Sequence, residues 1–350
     1  MQKLVITELL GDGIGPELAR AVHAVAAVLP LDITWDSVDW SLERREAKGE
    51  AAIDEAEASM RRTKLAVKYP TVTKTRSPNA LIRRRLGFSV IYRPAISIPG
   101  ISSNFKRNIG LHVVRVAVGG TYDDPGQYVG RDAAVSLRVV EREPCAQAAA
   151  FAFELAKRNS WRVTSSSKHT IQRATDGLFE AVVKEVHKDY LEVPHNLELF
   201  DALLAKIILK PEDYDVVLVL NEYGDFLSDM ASGLVGSLGT GASGNFSFDD
   251  RRQVEIAMFD PAGGTAPDIA GRDLANPAAI LLAFGMLLDH VGRAEIGDAL
   301  RDSILAAIGQ GSCTRDLGGA LSGSDFSAVI VQDLEARLHG LAEDLSSGNR

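Results

Sequence analysis

The chain has 350 residues, of which 46% are hydrophobic, and a formal net charge of −9 at pH 7. This length allows a large core and two domains. The acidic charge disfavours a general nucleic-acid or anionic-membrane binder, and no apolar run is long enough to span a bilayer. Cys145 and Cys313 resemble no disulfide or metal framework, so we expect a cytoplasmic protein with reduced thiols.

The first predicted strand covers residues 4–10 and runs into a glycine-rich turn, GDGIG, at residues 11–15. Pro16 suits the first position of the helix that follows. The glycine spacing is GxGxG, whereas a dinucleotide-binding fingerprint has GxGxxG and an acidic residue at the end of a second strand. We therefore interpret these glycines as a tight strand-to-helix turn.

A strand, a charged loop and a helix are predicted over residues 31–62, and another strand over residues 65–68. The most basic part of this acidic chain follows, with Lys74, Arg76, Arg83, Arg84, Arg85 and Arg93. A solvated helix face would explain Arg84 or Arg85. Because arginine binds carboxylates in a bidentate manner, the cluster as a whole indicates a small polyanionic ligand.

The central part alternates predicted strands and helices. Arg115 lies on a strand at residues 111–118, where a buried cation would be costly without an anion, and Tyr122 follows a Gly-Gly turn. Helices at about 145–158 and 175–188 flank a strand near residues 162–165 that delivers Lys168 to its end. A further helix contains Asp201.

Residues 215–229 are predicted to form a buried strand, a turn at residues 221–224, and a helix from Asp225. Asp225 and Asp229 lie four residues apart on one helix face, where two carboxylates repel each other. The positive end of the helix dipole would offset this repulsion. A divalent cation at the carboxyl end of a buried strand would offset it as well, and the spacing alone leaves both explanations open.

The last part begins with a predicted strand at residues 255–259 and a loop of small residues at 260–271, where a ligand could lie close to the backbone. Asn276, before Pro277, suits the N-cap of an apolar helix that extends to about residue 290. Two further helices, near residues 296–307 and 326–341, close the chain.

These segments together resemble the isocitrate/3-isopropylmalate dehydrogenase family of decarboxylating β-hydroxyacid dehydrogenases. The matching features, in the family's order, are the GDGIGPE turn, the Arg83-to-Arg93 and Arg115-to-Tyr122 spacings, Lys168-His169 running into DGLF, the GDFLSD helix, and GTAPDIAG followed by Asn276-Pro277. The resemblance covers nearly the whole chain and is weakest over residues 31–76.

The resemblance implies an α/β fold, a three-layer sandwich of non-Rossmann type with two domains. The large cofactor-binding domain would be discontinuous, at residues 1–90 plus 243–350. The small domain, at 91–242, would carry the dimer contact and the metal aspartates. A homodimer with shared active sites is implied, because Lys168 and Asp201 would enter the site of the neighbouring subunit.

The resemblance also assigns roles to individual residues. Tyr122 and Lys168 would transfer protons in catalysis. The substrate would be bound by Ser77, Asn79, Arg83, Arg93 and Arg115. Mg²⁺ or Mn²⁺ would be held by Asp201, Asp225 and Asp229. The nicotinamide cofactor would be bound by Asn221, Gly264, Thr265, Ala266, Asp268 and Asn276.

The substrate tail and the cofactor type follow from the same resemblance. Ser77 and Asn79 match isocitrate enzymes, and isopropylmalate enzymes have leucine in place of Asn79. With Lys74 and Arg76 nearby, we expect an anionic tail, as in isocitrate, homoisocitrate or a phosphonate analogue. Asp268 suits the free ribose 2′-hydroxyl of NAD and would repel a 2′-phosphate.

Three departures from the family keep alternatives open. Val116-Ala117 replace an acidic, REN-type segment after Arg115. Asp260 and Gly263 replace a glutamate and a histidine of the cofactor loop, and the loop between Lys68 and Ser77 is shortened. A catalytically silent regulatory subunit and a 3-isopropylmalate dehydrogenase are the alternative functions. The first would be expected to lose the tyrosine, the lysine or the aspartates, all of which are present here.

Overall fold

The structure is a computed structural model that describes residues 3–74, 77–101, 105, 107–236 and 238–347. Arg76, which contributed to the prediction of an anionic tail, lies outside these residues. The strands are β1 (Lys3–Leu10), β2 (Asp32–Asp39), β3 (Leu65–Lys68), β4 (Phe88–Ile96), β5 (Gly110–Val116), β6 (Gln127–Val129), β7 (Ala133–Val135), β8 (Val163–Ser167), β9 (His195–Leu199), β10 (Val216–Val219), β11 (Ala242–Phe248) and β12 (Val254–Pro261). The helices are α1 (Gly15–Val28), α2 (Leu42–Lys48), α3 (Glu50–Thr63), α4 (Pro78–Leu86), α5 (Arg142–Asn159), α6 (Thr175–Val186), α7 (Phe200–Leu209), α8 (Asn221–Leu234), α9 (Ala278–His290), α10 (Ala294–Gly309) and α11 (Gly323–Ser347).

Ten strands form one sheet in the order β2-β1-β3-β12-β11-β4-β5-β10-β8-β9. The pairs β12–β11, β11–β4 and β4–β5 are antiparallel, and the other pairs are parallel. The antiparallel centre distinguishes this sheet from the all-parallel Rossmann arrangement. Residues 90 and 242, where the predicted domains meet, lie in β4 and β11, so the sheet is continuous across them and the division into two domains stays a prediction.

Helices cover both faces of the sheet. On one face, α1, α5 and α9 contribute Val22, Phe153 and Phe284 to the largest hydrophobic cluster. On the other face, α3 and α4 pack on one half of the sheet, and α7 and α8 pack on the other half. This arrangement is the three-layer α/β sandwich that the sequence predicted. Among the described residues, no helix is long and apolar enough to cross a membrane.

The predicted turn at residues 221–224 is wrong, because α8 begins at Asn221 almost directly after β10. Gly224 lies inside the helix and packs against a neighbouring strand. A Cβ atom at Gly224 would lie 2.6 Å from the Cβ atom of Arg115. The glycine therefore allows α8 to approach β5 closely, and Asp225 stands one turn into the helix instead of at its start.

Candidate active site

Two of the predicted substrate arginines lie on neighbouring antiparallel strands. Arg93 of β4 is opposite Val113, and Arg115 of β5 is opposite Ile91. Because side chains alternate along a strand, this register places both arginines diagonally on the same sheet face. Helix α8 packs over that face, and Arg115 is only 4% exposed.

The carboxylate of Asp225 on α8 joins these groups. It accepts a hydrogen bond from Nη1 of Arg115, and its Oδ2 atom accepts one from the Tyr122 hydroxyl at 3.2 Å. Nη1 of Arg93 lies 3.5 Å from Oδ1. Burial by itself raises the pKa of Asp225, but the charges of Arg115 and then Arg93 outweigh it and lower the pKa below the usual range. Partial burial, and then the charge of the same carboxylate, raise the pKa of Tyr122.

Arg115 and Arg93 differ in how many of their N–H donors make hydrogen bonds within the chain. Nε of Arg115 donates to Oδ1 of Asn221 at 2.9 Å, and the Asn221 amide donates to the carbonyl of Gly119 at 2.9 Å. Asn221 therefore positions Arg115, and its predicted cofactor contact stays a prediction. Arg93 donates from Nη1 to Ser228 at 2.9 Å, whereas its buried Nε has no hydrogen-bond partner among the described residues. A buried donor of this kind is a place for a ligand oxygen.

Arg83 belongs to a second buried network. Its Nε donates to Asn245 at 3.1 Å, and Asn245 donates to Asp260 at 3.1 Å. Oδ2 of Asp260 lies 3.2 Å from Nζ of Lys68. Burial lowers the pKa of Arg83 to about 10, although the negative charge of Asp260 opposes this shift. The guanidinium therefore stays charged at neutral pH.

The functional prediction from sequence missed Lys68, Asn245 and Asp260 as partners of Arg83, and Ser228 as a partner of Arg93. Asn245 and Asp260 are polar residues inside otherwise buried strands. A buried polar group is nearly always hydrogen-bonded. The sequence analysis predicted no strand over residue 245 and assigned Asp260 to a loop, whereas the structure places them in β11 and β12, so this signal was not available from the sequence.

The residues predicted to read the substrate tail lie at the start of α4. Ser77 is the N-cap of this helix, and its hydroxyl accepts from the backbone N–H of Ala80 at 3.3 Å. Oδ1 of Asn79 lies 3.5 Å from the hydroxyl of Thr71. Lys74 pairs with Glu46 at 2.7 Å on the surface, so its charge is already balanced within the chain.

Lys168 and Asp201 form a separate pair. Lys168 follows directly after β8, and its Nζ lies 2.6 Å from Oδ1 of Asp201 on α7. This hydrogen bond lowers the pKa of Asp201. Over the described part of the chain, no hydrogen bond or ion pair connects either residue with the cluster around Asp225. The structure therefore does not bring the two predicted proton-transfer residues together within one chain.

The three predicted metal ligands are likewise divided. Asp225 and Asp229 share α8, and Asp229 is 70% exposed and 3.7 Å from Arg93. Within the described residues, no group of three histidine, cysteine, aspartate or glutamate side chains could hold a metal ion. Two carboxylates on one helix face suit a hard cation, but the described part of the chain supplies no third ligand beside them.

The predicted cofactor loop lines a cleft of about 640 Å³, with Gly264, Ala266 and Asn276 on its wall. The turn at residues 11–15 packs on this loop, because the N–H of Ile14 donates to the carbonyl of Thr265 at 3.0 Å. A Cβ atom at Gly13, whose φ is 57°, would lie 2.0 Å from that carbonyl. This confirms the interpretation of the glycines as a tight turn.

Both polar atoms of the Asn276 side chain make hydrogen bonds. Its Oδ1 accepts from the N–H of Ala278, the first residue of α9, at 2.9 Å, and its Nδ2 donates to Asp316 at 2.8 Å. The N-cap position itself is occupied by Pro277 and not by Asn276 as predicted. Arg315 and Arg272 also line the cleft and were missed by the sequence analysis. Asp268 is exposed on the loop.

The fold and the site define an α/β enzyme with a largely buried cationic cluster for a small anion and a separate cleft beside a glycine-rich loop. The family model described as isocitrate/isopropylmalate dehydrogenase matches residues 5–330. The chain therefore belongs to the isocitrate/isopropylmalate dehydrogenase family. This confirms the predicted family and fold class, and it confirms that the chain is a decarboxylating dehydrogenase.

Individual relatives agree with this assignment. The chain is 34% identical to subunit 2 of the mitochondrial NAD isocitrate dehydrogenase of Kluyveromyces lactis, covering 95% of this chain and 91% of that protein. It is 32% identical to a regulatory subunit of the mitochondrial NAD isocitrate dehydrogenase of Dictyostelium discoideum, over 96% and 92%. The crystal structure of isocitrate dehydrogenase from Methylococcus capsulatus matches with a TM-score of 0.85 and 29% identity, over 95% of this chain and 99% of that one.

Proposed function

We propose that the chain catalyses the NAD-dependent and metal-dependent oxidative decarboxylation of a 3-substituted malate with an anionic tail, to a 2-oxo acid and CO₂. The observation that carries the proposal is the convergence of Arg93, Arg115 and Tyr122 on the carboxylate of Asp225. This cluster combines anion binding, a proton donor and a carboxylate on one face of the sheet, at its central strands β4 and β5. The relatives named as NAD isocitrate dehydrogenase subunits support the choice of cofactor and substrate class.

The arginines would bind and orient the substrate carboxylates. Nε of Arg93 is buried and without a partner among the described residues, so a substrate oxygen would complete its hydrogen bonding. Arg115 is held in place by Asn221, which lowers the entropy lost on binding. Fixed carboxylates align the bonds to hydrogen and to the departing CO₂.

Two residues would move protons. Lys168 would accept the proton of the substrate hydroxyl while the carbon-bound hydrogen leaves with its electron pair for the nicotinamide ring. Cleavage of the carbon–carbon bond then leaves its electrons as an enolate and releases CO₂. Tyr122, whose hydroxyl already donates to Asp225 at 3.2 Å, would protonate the enolate at carbon.

The side chains fit the two groups that this reaction requires. Asp225 and Asp229 present carboxylate oxygens from one face of α8, and Asp201 of a second subunit would complete the set. A bound Mg²⁺ or Mn²⁺ would supply Lewis-acid polarisation of the substrate oxygens. The cleft beside the cofactor loop, lined by Gly263, Gly264 and Ala266 together with apolar side chains such as Ile269 and Leu274, suits the adenosine half of NAD.

We also propose a homodimer with shared active sites. The pair of Lys168 and Asp201 stands apart from the Asp225 cluster, which agrees with delivery to the site of a second subunit. Exposed apolar side chains on the β6–β7 hairpin and nearby offer a contact surface, since Tyr128 is 85% exposed and Leu137 is 66% exposed. Location in the cytoplasm stays a prediction, and the curated relatives named above are mitochondrial.

The test is NADH formation by the purified chain with Mn²⁺ or Mg²⁺, using isocitrate, homoisocitrate, isopropylmalate, a phosphonomethyl analogue and malate. We expect turnover of an anionic-tailed substrate, its loss on chelation, and a shift toward isopropylmalate in Asn79→Leu. Turnover of isopropylmalate alone would favour that alternative. A folded dimer that turns over none of the five would contradict the proposal and favour a regulatory role, which the Dictyostelium relative makes the second candidate.

A further inference from the structure

A buried ionic network lies beside the residues to which the proposed function gives chemistry. Its centre is Arg138, between the β6–β7 hairpin and α5, with its side chain only 15% exposed. Nη1 of Arg138 donates to the carboxylate of Asp176 on α6, a residue that is fully buried. Nε of Arg138 lies 3.7 Å from Oε1 of Glu222 on α8, and the guanidinium lies 5.1 Å from the ring centroid of Tyr223.

Asp176 connects this centre with Lys168. Oδ2 of Asp176 accepts the backbone N–H of Lys168 at 2.7 Å and the hydroxyl of Tyr223 at 3.0 Å. The Asp176 carboxylate thus holds both Lys168, at the start of the segment after β8, and Tyr223 of α8, two positions before Asp225. The guanidinium of Arg138 holds this carboxylate in place on its other oxygen.

Glu222 connects the same centre with the segment of Tyr122. Oε1 of Glu222 accepts from both the hydroxyl of Thr121, at 2.7 Å, and its backbone N–H. A Cβ atom at Gly120 would lie 2.3 Å from the Glu222 carboxylate, so the backbone passes directly against it. Val139, the residue after Arg138, exchanges two backbone hydrogen bonds with Gly120, at 2.7 and 3.1 Å.

We propose that Arg138 is a positioning residue that, through Asp176 and Glu222, fixes the segment carrying Tyr122 and the α8 aspartates of one active site relative to the segment carrying Lys168, which would serve the neighbouring site. The catalytic consequence rests on the proposed function. None of the contacts reaches Arg83, Arg93 or the cofactor loop. The network should therefore affect the alignment needed for proton transfer, and leave binding of substrate and NAD nearly unchanged.

The chain offers a matched control for this proposal. Arg142, four residues after Arg138, also pairs with a carboxylate of α6, since its Nη1 lies 2.7 Å from Glu185, but that pair is exposed. Arg138→Met and Arg142→Met each remove one guanidinium while keeping a side chain of similar length. Arg138→Lys keeps the charge and tests whether a cation alone restores the arrangement.

The first measurement is hydrogen–deuterium exchange, which needs no substrate. In Arg138→Met we expect exchange to rise about tenfold in residues 118–124 and 168–176, with β1 unchanged. Arg142→Met should change neither segment. If Arg138→Met does not fold, Glu222→Gln serves instead and should raise exchange in 118–124 alone. An equal rise over the whole chain, or no rise in these segments, would overturn the proposal.

The second measurement is kinetic, with whichever substrate of the five-member panel the wild-type chain turns over. We expect kcat of Arg138→Met to fall at least about tenfold, with KM for substrate and NAD within about twofold, and Arg138→Lys to recover most of kcat. A changed KM with unchanged kcat would overturn the positioning role. If the wild-type chain turns over nothing, the proposed function fails, while the exchange result still decides whether Arg138 orders the two segments.

Discussion

The substrate end and the cofactor end of the proposed active site are formed by different kinds of residue. At the substrate end, buried and partly buried charged side chains interact with one another, as Arg115 does with Asp225 and Arg83 does through Asn245 with Asp260. At the cofactor end, the loop at residues 262–268 presents small and mostly exposed residues. It offers backbone groups and few side-chain contacts.

This difference has an energetic consequence. Burying a charge is costly, and removing one partner of a buried pair leaves the other uncompensated. Substitutions at the substrate end should therefore change stability and catalysis together. At the cofactor end the loop backbone is already accessible to solvent, so substitutions should change cofactor affinity or selectivity with little effect on folding.

The largest effect is expected from Asp225→Asn. The amide has nearly the same shape but leaves Arg115 without its counter-charge and Arg93 with only the exposed Asp229, at 3.7 Å. We expect kcat/KM to fall about a thousandfold and the free energy of unfolding to fall by roughly 2–4 kcal/mol. Steady-state kinetics and urea unfolding measure the two quantities.

Asp229→Asn is the control on the same helix. Asp229 is 70% exposed, so its substitution should leave the free energy of unfolding within about 0.5 kcal/mol of wild type. Because Asp229 is a proposed metal ligand, the same substitution should lower metal-dependent turnover. If Asp225→Asn were as stable as the wild-type protein, the Arg115–Asp225 pair would not stabilise the fold. The proposed difference in stability between the substrate end and the cofactor end would then be refuted.

A smaller effect is expected from the choice of cofactor. The carboxylate of Asp268 would accept hydrogen bonds from a ribose 2′-hydroxyl and repel a 2′-phosphate, so we expect kcat/KM to be about a hundredfold higher with NAD than with NADP. Asp268→Ser should reduce this ratio without changing thermal stability. Asp250→Ser, at the opposite end of β12, is the control for loss of a surface charge. Similar kcat/KM values for NAD and NADP in the wild-type enzyme would refute the assignment.

Residue type and spacing led the sequence analysis to Arg93, Arg115 and Asp225 at the substrate end, and their roles stay predictions. Arg93, Arg115 and Asp225 are individually unusual in or beside buried strands, and the structure brings them together as a cluster. The turn before Asp225 was predicted wrongly for a physical reason. Glycine breaks many helices, and only the tertiary contact with Arg115 shows that Gly224 serves close packing instead.

Other features depend on contacts between distant segments and had no signal in the local pattern. Asn245 is 162 residues from Arg83 in sequence, and Arg138 reaches Asp176 and Glu222 from a segment that the sequence analysis left without a role. The cofactor loop was predicted from its small residues, but its side-chain partners, such as Asp316 with Asn276, were not. Pattern and composition identify a segment, whereas its partners follow from the topology of the sheet.

The smallest effect is expected when a single methyl group is added at each end of the site. At the substrate end, a Cβ atom at Gly224 would lie 2.6 Å from Arg115, so Gly224→Ala must push α8 away from β5. We expect it to cost about 2 kcal/mol of stability and to raise KM for the substrate. At the cofactor end, a Cβ atom at Gly264 meets nothing within 4 Å, so Gly264→Ala should leave stability within about 0.5 kcal/mol.

Gly233 of α8 is the control for the intrinsic preference of a helix for alanine. It is exposed, and nothing lies within 4 Å of its added Cβ atom. Gly233→Ala should therefore stabilise the protein by about 0.5–1 kcal/mol. Opposite signs for the two alanine substitutions of α8, measured by urea unfolding, would locate the cost at the contact with Arg115. If Gly224→Ala were also stabilising, α8 would have room to move, and the substrate end would be no more tightly packed than the cofactor loop.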